Sequence, residues 1–192
     1  MRAESAPAIL LAVQCVIELG LLEVAEGAAC DLNAAIGLDD AGLDALAPWH
    51  PSLVKAKSAS GAAQVACGDE LALRSVLESA CVAPPPFNTV LPAIVARRSM
   101  REDHLWQDLG LPHRAALSQL MAAAFPSLYS GNDRDMKWKR FFYRALCEAE
   151  GFSLCAVPHC RDCSDFERCF GAEDGESAFA RRARGEEALR QG

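Results

Sequence analysis

Basic charge is scarce in this sequence: 19 lysines and arginines stand against 26 aspartates and glutamates, for a formal net charge of −7. Phosphate backbones are gripped by basic surfaces, so non-specific nucleic-acid binding is excluded. Aromatic residues make up 7% of the chain and β-branched residues are few, while alanine and leucine dominate. Sheets draw on the scarce types and helices on the abundant ones, so the composition favours helices. The expected fold is all-α, an irregular multi-helix domain ending in a cysteine-rich metal-binding loop. Glycine-rich phosphate loops are missing, and no nucleophile–base pair or Ser-His-Asp set stands out, so the chain is not read as an enzyme.

A long uninterrupted apolar run is missing as well. Pro7 to Ala25 is the most apolar segment, but Gln14, Glu18 and Glu23 break it, whereas a spanning helix needs roughly 20 mostly apolar residues. Arg2 is soon followed by Glu4, so a secretory signal is not read either. The segment is expected to be a buried core helix of a cytoplasmic protein without membrane contact.

What the chain has in excess is cysteine. Nine are present, at positions 15, 30, 67, 81, 147, 155, 160, 163 and 169. An odd number without a secretory signal argues against a disulfide framework and for a reducing compartment with a metal site. Cys15, Cys30, Cys67 and Cys81 lie scattered among alanines and leucines and are expected to be small buried hydrophobes. Cys155, Cys160, Cys163 and Cys169 are different, for they form a C-x4-C-x2-C-x5-C run of four thiols within fifteen residues. Helix faces recur at three and four residues and strand faces at two, and this run follows neither period. It is expected to fold back so that its thiols converge, and converging thiolates hold soft metals. All four are assigned as metal and cofactor ligands.

Three chemistries compete for the run. Structural zinc usually shows two separated short hooks, and only one such hook is present. An iron–sulfur cubane spreads its ligand positions more widely and suits short, unequal spacings, although the bacterial ferredoxin pattern and the C-x3-C-x2-C of radical enzymes that use S-adenosylmethionine both differ from this one. A mixed molybdenum–iron–sulfur centre fits equally, since soft sulfide and thiolate hold both metals.

Upstream, the chain reads as helical scaffold. Residues 5 to 26 form a first helix, with Ser5 as cap, Gly27 at its end, and Glu18 and Glu23 on its wet side. Residues 37 to 53 make a short capped helix broken by Pro48 and Pro51, and residues 110 to 128 have a similar outline, too faint for a repeat. Residues 56 to 66 are a loop. Asp69 caps a helix from Glu70 to Cys81, and Ala83-Pro84-Pro85-Pro86 stops it and is the best hinge. Further helices run from Asn88 to Arg98 and over 114 to 124, and Ser130-Gly131-Asn132 is a turn. A last large helix, Arg134 to Glu150, is capped by Asn132 or Asp133. Its Trp138, Phe141, Phe142, Ala145 and Leu146 share one face, and Gly151 turns it into the cysteine run.

Several residues near the run have a bland and a functional reading. Lys137, Arg140 and Arg144 share a helix face that is expected to be solvated; alternatively they lower cysteine pKa and attract an oxyanion such as molybdate. Cys147 is expected at a half-buried helix edge rather than as a fifth ligand, and His159 as an exposed loop residue rather than a nitrogen ligand. Asp162, Asp165 and Glu167 read as solvating charges. Trp106 and Leu109 are expected to pack inward while His104 and Asp108 face water; the alternative places His104 or His113 near the metal loop. The charged tail after Gly171 reads as a frayed, solvated helix and is assigned no chemistry.

The stretch from Met136-Lys-Trp138-Lys-Arg-Phe-Phe-Tyr143 through Cys147, Gly151 and the cysteine run to Phe170-Gly171 closely resembles the NifQ nitrogen-fixation proteins. His104-Leu-Trp106-Gln-Asp108-Leu-Gly110-Leu is similar to that family too. The resemblance is specific over roughly residues 102 to 171, vague from 70 to 101 and absent before that. It divides the chain into an N-terminal helical region (1–83), a family-like core ending in the cluster loop (84–171, loop 152–171) and a charged tail (172–192). It implies a carrier that binds a molybdenum–iron–sulfur cluster on the cysteine motif. Such a carrier donates molybdenum for the nitrogenase iron–molybdenum cofactor, with the cofactor scaffold complex and the nitrogenase iron protein as partners. An iron–sulfur redox sensor and a helical interaction module with structural zinc are the rival readings.

Overall fold

The computed structural model describes residues 5–54, 68–149, 167, 169 and 173. Among them every regular element is a helix, as the composition dictates. Helix α1 (Ser5–Ala25) is long enough and apolar enough to cross a membrane by length and composition, yet it packs on its neighbours. Its Ile9, Ala12, Val13, Val16 and Ile17 are buried, on a face set by the helical period. Gly27, at φ 73°, follows its end.

Two short capped helices come next. Asp31 accepts a hydrogen bond from the Ala34 amide at 2.8 Å and starts α2 (Leu32–Ile36). Gly37 ends α2 in the left-handed region at φ 76°, and a β-carbon there would sit 2.5 Å from Cβ of Arg97. Asp39 caps α3 (Asp40–Leu46) through the Gly42 amide, and two 3-10 turns, Ala47–Trp49 and Pro51–Val54, follow where Pro48 and Pro51 break the pattern. The expected loop at 56–66 lies outside the described residues.

Helices α4 (Gly68–Ala80) and α5 (Phe87–Ser99) pair, tied by an ion pair of 3.1 Å between Glu70 and Arg97. The intervening Pro-rich strap is anchored rather than loose. The Val82 amide donates to the Ala124 carbonyl at 2.9 Å, and Ala83 is buried. Then come α6 (Leu105–Asp108), α7 (Arg114–Ala124), α8 (Pro126–Gly131) and α9 (Trp138–Ala149). Residues expected to form a turn at 130–131 close α8 instead.

Helix α1 lies against α2 and α7, α5 touches α2 and α6, and α9 touches α4. One apolar cluster runs from Ile9 through Leu77, Ile94, Trp106 and Phe125 to Phe142, crossing the boundary at residue 83 without a break. At Gly20 a β-carbon would come within 2.7 Å of Leu32 and 2.8 Å of Ile36, so hydrogen alone lets α1 and α2 approach this closely.

One expectation for α1 fails. Glu18 is exposed as foreseen, but Glu23 is 6% exposed. Its carboxylate accepts both hydrogen bonds from Nη1 of Arg98, at 2.8 and 3.0 Å, and a third from Arg101 at 3.2 Å. Arg98 is itself fully buried, and a buried cation requires a carboxylate. Glu23 lies on the apolar stripe itself, seven residues after Val16 and four after Leu19, and the distant Arg98 supplies the partner that lets a carboxylate sit there.

Because Arg98 would be left buried and unpaired, Glu23→Ala is expected to lower stability by about 3–5 kcal/mol. The combination Glu23→Leu with Arg98→Met is expected to recover most of that loss. Urea unfolding followed by circular dichroism measures both.

Candidate functional site

Helix α9 is held by one face, as its sequence pattern requires. Trp138 and Phe142 are buried, and Phe141 and Leu146 pack at the edge of the core. Trp138 meets Phe141 edge-on at 5.6 Å and Phe142 at 5.8 Å, the angled contacts that ring quadrupoles favour.

The helix begins four residues later than its sequence suggests. Asn132 closes a loop instead of capping α9: its Oδ1 accepts from the Met136 amide at 2.9 Å and its Nδ2 donates to the Met136 carbonyl at 2.8 Å. Inside that loop Asp135 takes φ 53°. A left-handed residue cannot sit inside a right-handed helix, so the helix starts after it. Arg114, the first residue of α7, pins the loop by donating from Nη2 to the carbonyl of Asp135 at 2.9 Å and to its Oδ1 at 2.8 Å.

The end of the cysteine run returns to this spot. Lys137 donates its main-chain N–H to the carbonyl of Cys169 at 2.8 Å and its Nζ to the carbonyl of Glu167 at 3.0 Å. The chain leaves α9 at Ala149, about 18 Å along the helix axis at 1.5 Å per residue, and is back beside its first turn by Glu167. Four residues past Cys169, the Glu173 side chain is 5% exposed. Its carboxylate lies 3.7 Å from Nδ1 of His104 and 3.5 Å from Nε of Arg114, and its Oε2 has no hydrogen-bond partner among the described residues.

A cleft of about 410 Å³ opens beside this joint, lined by His104, Lys137, Arg140, Tyr143 and Glu173 among others. Lys139 stiffens its wall: Nζ donates to the Arg101 carbonyl at 2.6 Å and to Oδ2 of Asp108. Asp108 is buried, and that burial pushes its carboxyl above the usual range while the Lys139 ammonium opposes the shift. The expectation that Asp108 faces water is therefore corrected; Lys139, thirty-one residues away, draws it inward.

Of the four assigned ligands, Cys169 falls within the described residues and is half-buried; Cys155, Cys160 and Cys163 lie outside them, as do His159, Asp162 and Asp165. Among the described residues no group of three or more His, Cys, Asp or Glu side chains is placed to hold a metal. Trp106 and Leu109 pack inward as expected. His104 stands at the segment that follows Cys169, half-buried against Glu173. His113 caps α7, its Nδ1 accepting from the Ala116 amide at 3.1 Å. The basic face of α9 divides: Lys137 and Arg140 line the cleft, while Arg144 lines a second hollow with Arg134 and Phe141.

Sequence reasoning missed Glu173 and Arg114. Glu173 sits in an acidic run with Asp174 and Glu176, and nothing local marks which carboxylate is buried. The remaining cysteines also differ among themselves. Cys30 is exposed in the bend between α1 and α2, not buried as expected. Cys15 and Cys81 are half-buried against the core, and burial pushes both thiols up; Glu18 adds to the shift at Cys15, and a backbone hydrogen bond at Ala83 opposes it at Cys81.

Comparison with known proteins gives one consistent answer. The sequence profile of the NifQ family matches residues 15–171, a span that starts well before the stretch carrying the motif resemblance. A NifQ homolog of Sinorhizobium fredii is 48% identical over 110 residues, covering 57% of this chain and 48% of that protein's length, so the chain matches about half of that relative. The NifQ protein of Rhodobacter capsulatus is 40% identical over 159 residues, covering 82% of this chain and 87% of its own. That of Azotobacter vinelandii is 43% identical over 88 residues, 46% of this chain and 45% of its own length. No solved structure matches.

Only the thiolate attacks alkylating agents, so a raised thiol pKa and partial burial both slow the reaction. Cys30 is expected to be alkylated well before Cys15 and Cys81 under native conditions at neutral pH. Peptide mass mapping after timed iodoacetamide treatment checks the order.

Proposed function

The chain belongs to the NifQ family, and on that footing we propose that it is a carrier of a molybdenum–iron–sulfur cluster. Cys155, Cys160, Cys163 and Cys169 hold the cluster through their thiolates, and the carrier donates molybdenum for assembly of the nitrogenase iron–molybdenum cofactor. The cluster is cargo, not a resident group. Its recipients are the cofactor scaffold complex and the nitrogenase iron protein, met in the cytoplasm. Nucleic acid and membrane play no part.

The observation that carries this reading is the run of four thiols in fifteen residues. Thiolates at these unequal spacings suit a sulfide-bridged cluster better than a lone tetrahedral ion. The donor set therefore fits the cargo. A carrier also differs from a cage, because a metal that must leave is best held by one continuous segment. The Lys137 amide and ammonium hold that segment's end by the backbone carbonyls of Cys169 and Glu167, which leaves the choice of thiol partner to the cargo.

The scaffold upstream gives the carrier its firmness. Helix α9 is seated by Trp138 and Phe142, and Lys139 braces it against Arg101 and Asp108. Lys137 and Arg140 supply positive charge next to the run's end in an otherwise acidic chain. Cationic neighbours favour the thiolate over the thiol and so favour loading.

Protein purified without oxygen from molybdate-fed cells is expected to contain both iron and molybdenum by mass spectrometry. Cys163→Ala is expected to lose both metals while keeping its helical circular dichroism. Iron without molybdenum would point to a redox sensor, and zinc in protein that stays colourless after iron–sulfide reconstitution would mean a structural staple.

A further inference from the structure

We propose that Glu173 and Arg114 are positioning residues for the cysteine run. With His104 they form a charge clasp that fixes the exit of the run, and Cys169 with it, against the helical body. What the clasp positions rests on the cargo reading above; the clasp itself stands on geometry alone.

Burying a carboxylate is costly unless opposite charge or hydrogen bonds offset it. The Glu173 side chain is nevertheless almost fully removed from water, and its two neighbours, His104 and Arg114, come from separate parts of the chain. His104 is the residue that precedes α6, and Arg114 is the first residue of α7. At 3.5 Å the Arg114 contact is longer than a direct hydrogen bond, so its attraction is ionic, and it is strengthened by the exclusion of water; the His104 ring stands 3.7 Å from the same carboxylate.

Arg114 joins two parts of the chain through one guanidinium. Its Nη2 holds Asp135 in the turn that launches α9, and its Nε faces Glu173 beyond the cysteine run. Two residues after Asp135, Lys137 holds Cys169 and Glu167 by their carbonyls. Three links therefore fasten Glu167, Cys169 and Glu173 to elements whose place the core sets: the Lys137 amide, the Lys137 ammonium and the Glu173 carboxylate. Of these, the carboxylate is the one whose charge a substitution removes without changing its shape. A ligand segment fixed at one end has less freedom to lose when it closes on a metal.

The test uses the full chain and two readouts. Hydrogen–deuterium exchange at the Lys137 amide reports the clasp in metal-free protein. Titration with Co²⁺, read by its thiolate charge-transfer and ligand-field absorption, reports the thiol site without relying on the natural cargo. In Glu173→Gln the Lys137 amide is expected to exchange several-fold faster, and the apparent Co²⁺ affinity to fall several-fold with altered ligand-field bands. Glu102→Gln, which removes an exposed carboxylate from the same cleft, is expected to leave both unchanged. Unchanged exchange in Glu173→Gln would overturn the clasp. Faster exchange with wild-type cobalt spectra and affinity would overturn the positioning role, and so would an equal effect from Glu102→Gln. No cobalt–thiolate absorption in the wild-type protein would end the four-thiolate reading and the positioning role with it, while the exchange data would still decide whether the clasp exists.

Discussion

A guanidinium with no exposed surface sits at the centre of this fold, and the arrangement of the helices follows from the need to neutralise it. Burial pulls the Arg98 pKa down, and Glu23 pulls it back up through charge and hydrogen bonds. Nε and Nη2 of Arg98 find no hydrogen-bond partner among the described residues, so the bidentate contact through Nη1 carries the compensation. That contact joins the last turn of α1 to the last turn of α5. Glu23 also reaches Arg101, and the Arg101 carbonyl receives Lys139 of α9. A line of charged contacts thus runs from the N-terminal helix to the helix that leads into the cysteine run. Helices that would otherwise slide along an alanine- and leucine-rich interface are registered by it.

Much of this was legible in the sequence, and what was not has a common cause. The extent of α1, the limits of α7, the Pro48 and Pro51 breaks and the aromatic face of α9 all follow from local rules of capping, proline geometry and helical period. Glu23, Asp108 and Glu173 were each read as facing water because acidic residues usually do, even though Glu23 lies on the apolar stripe of α1. Each is buried by a cation remote in sequence: Arg98, Lys139 and Arg114. Periodicity reports which face a residue occupies, and it is silent on pairs separated by thirty or more positions. The late start of α9 has a different origin. Asn132 and Asp133 look like caps, but Asn132 spends both polar atoms on Met136 four residues on, a choice that Arg114 stabilises from outside.

At the site, the sequence identified the four thiols and the structure supplies their setting at one end. Cys169 was read as a ligand and nothing more. Its carbonyl proves to be part of the joint that brings the chain back to the first turn of α9, so one residue contributes a backbone link to the body and a sulfur to the run. Glu167 and Cys169 thus lie beside Lys137, at the start of the helix whose far end leads into the run. The helix has an apolar face seated in the core, while the basic residues Lys137, just before it, and Arg140 line the cleft that Glu173 also lines.

The position of Trp138 has a consequence for light. The indole is buried next to the residue that grips Cys169, in contact with two phenylalanines that keep it still. An iron–sulfur chromophore absorbs where tryptophan emits, and energy transfer between them falls steeply with distance. Under the carrier reading proposed above, Trp138 would act as a built-in gauge: its emission would dim with a coloured cargo aboard and brighten once the cargo departed.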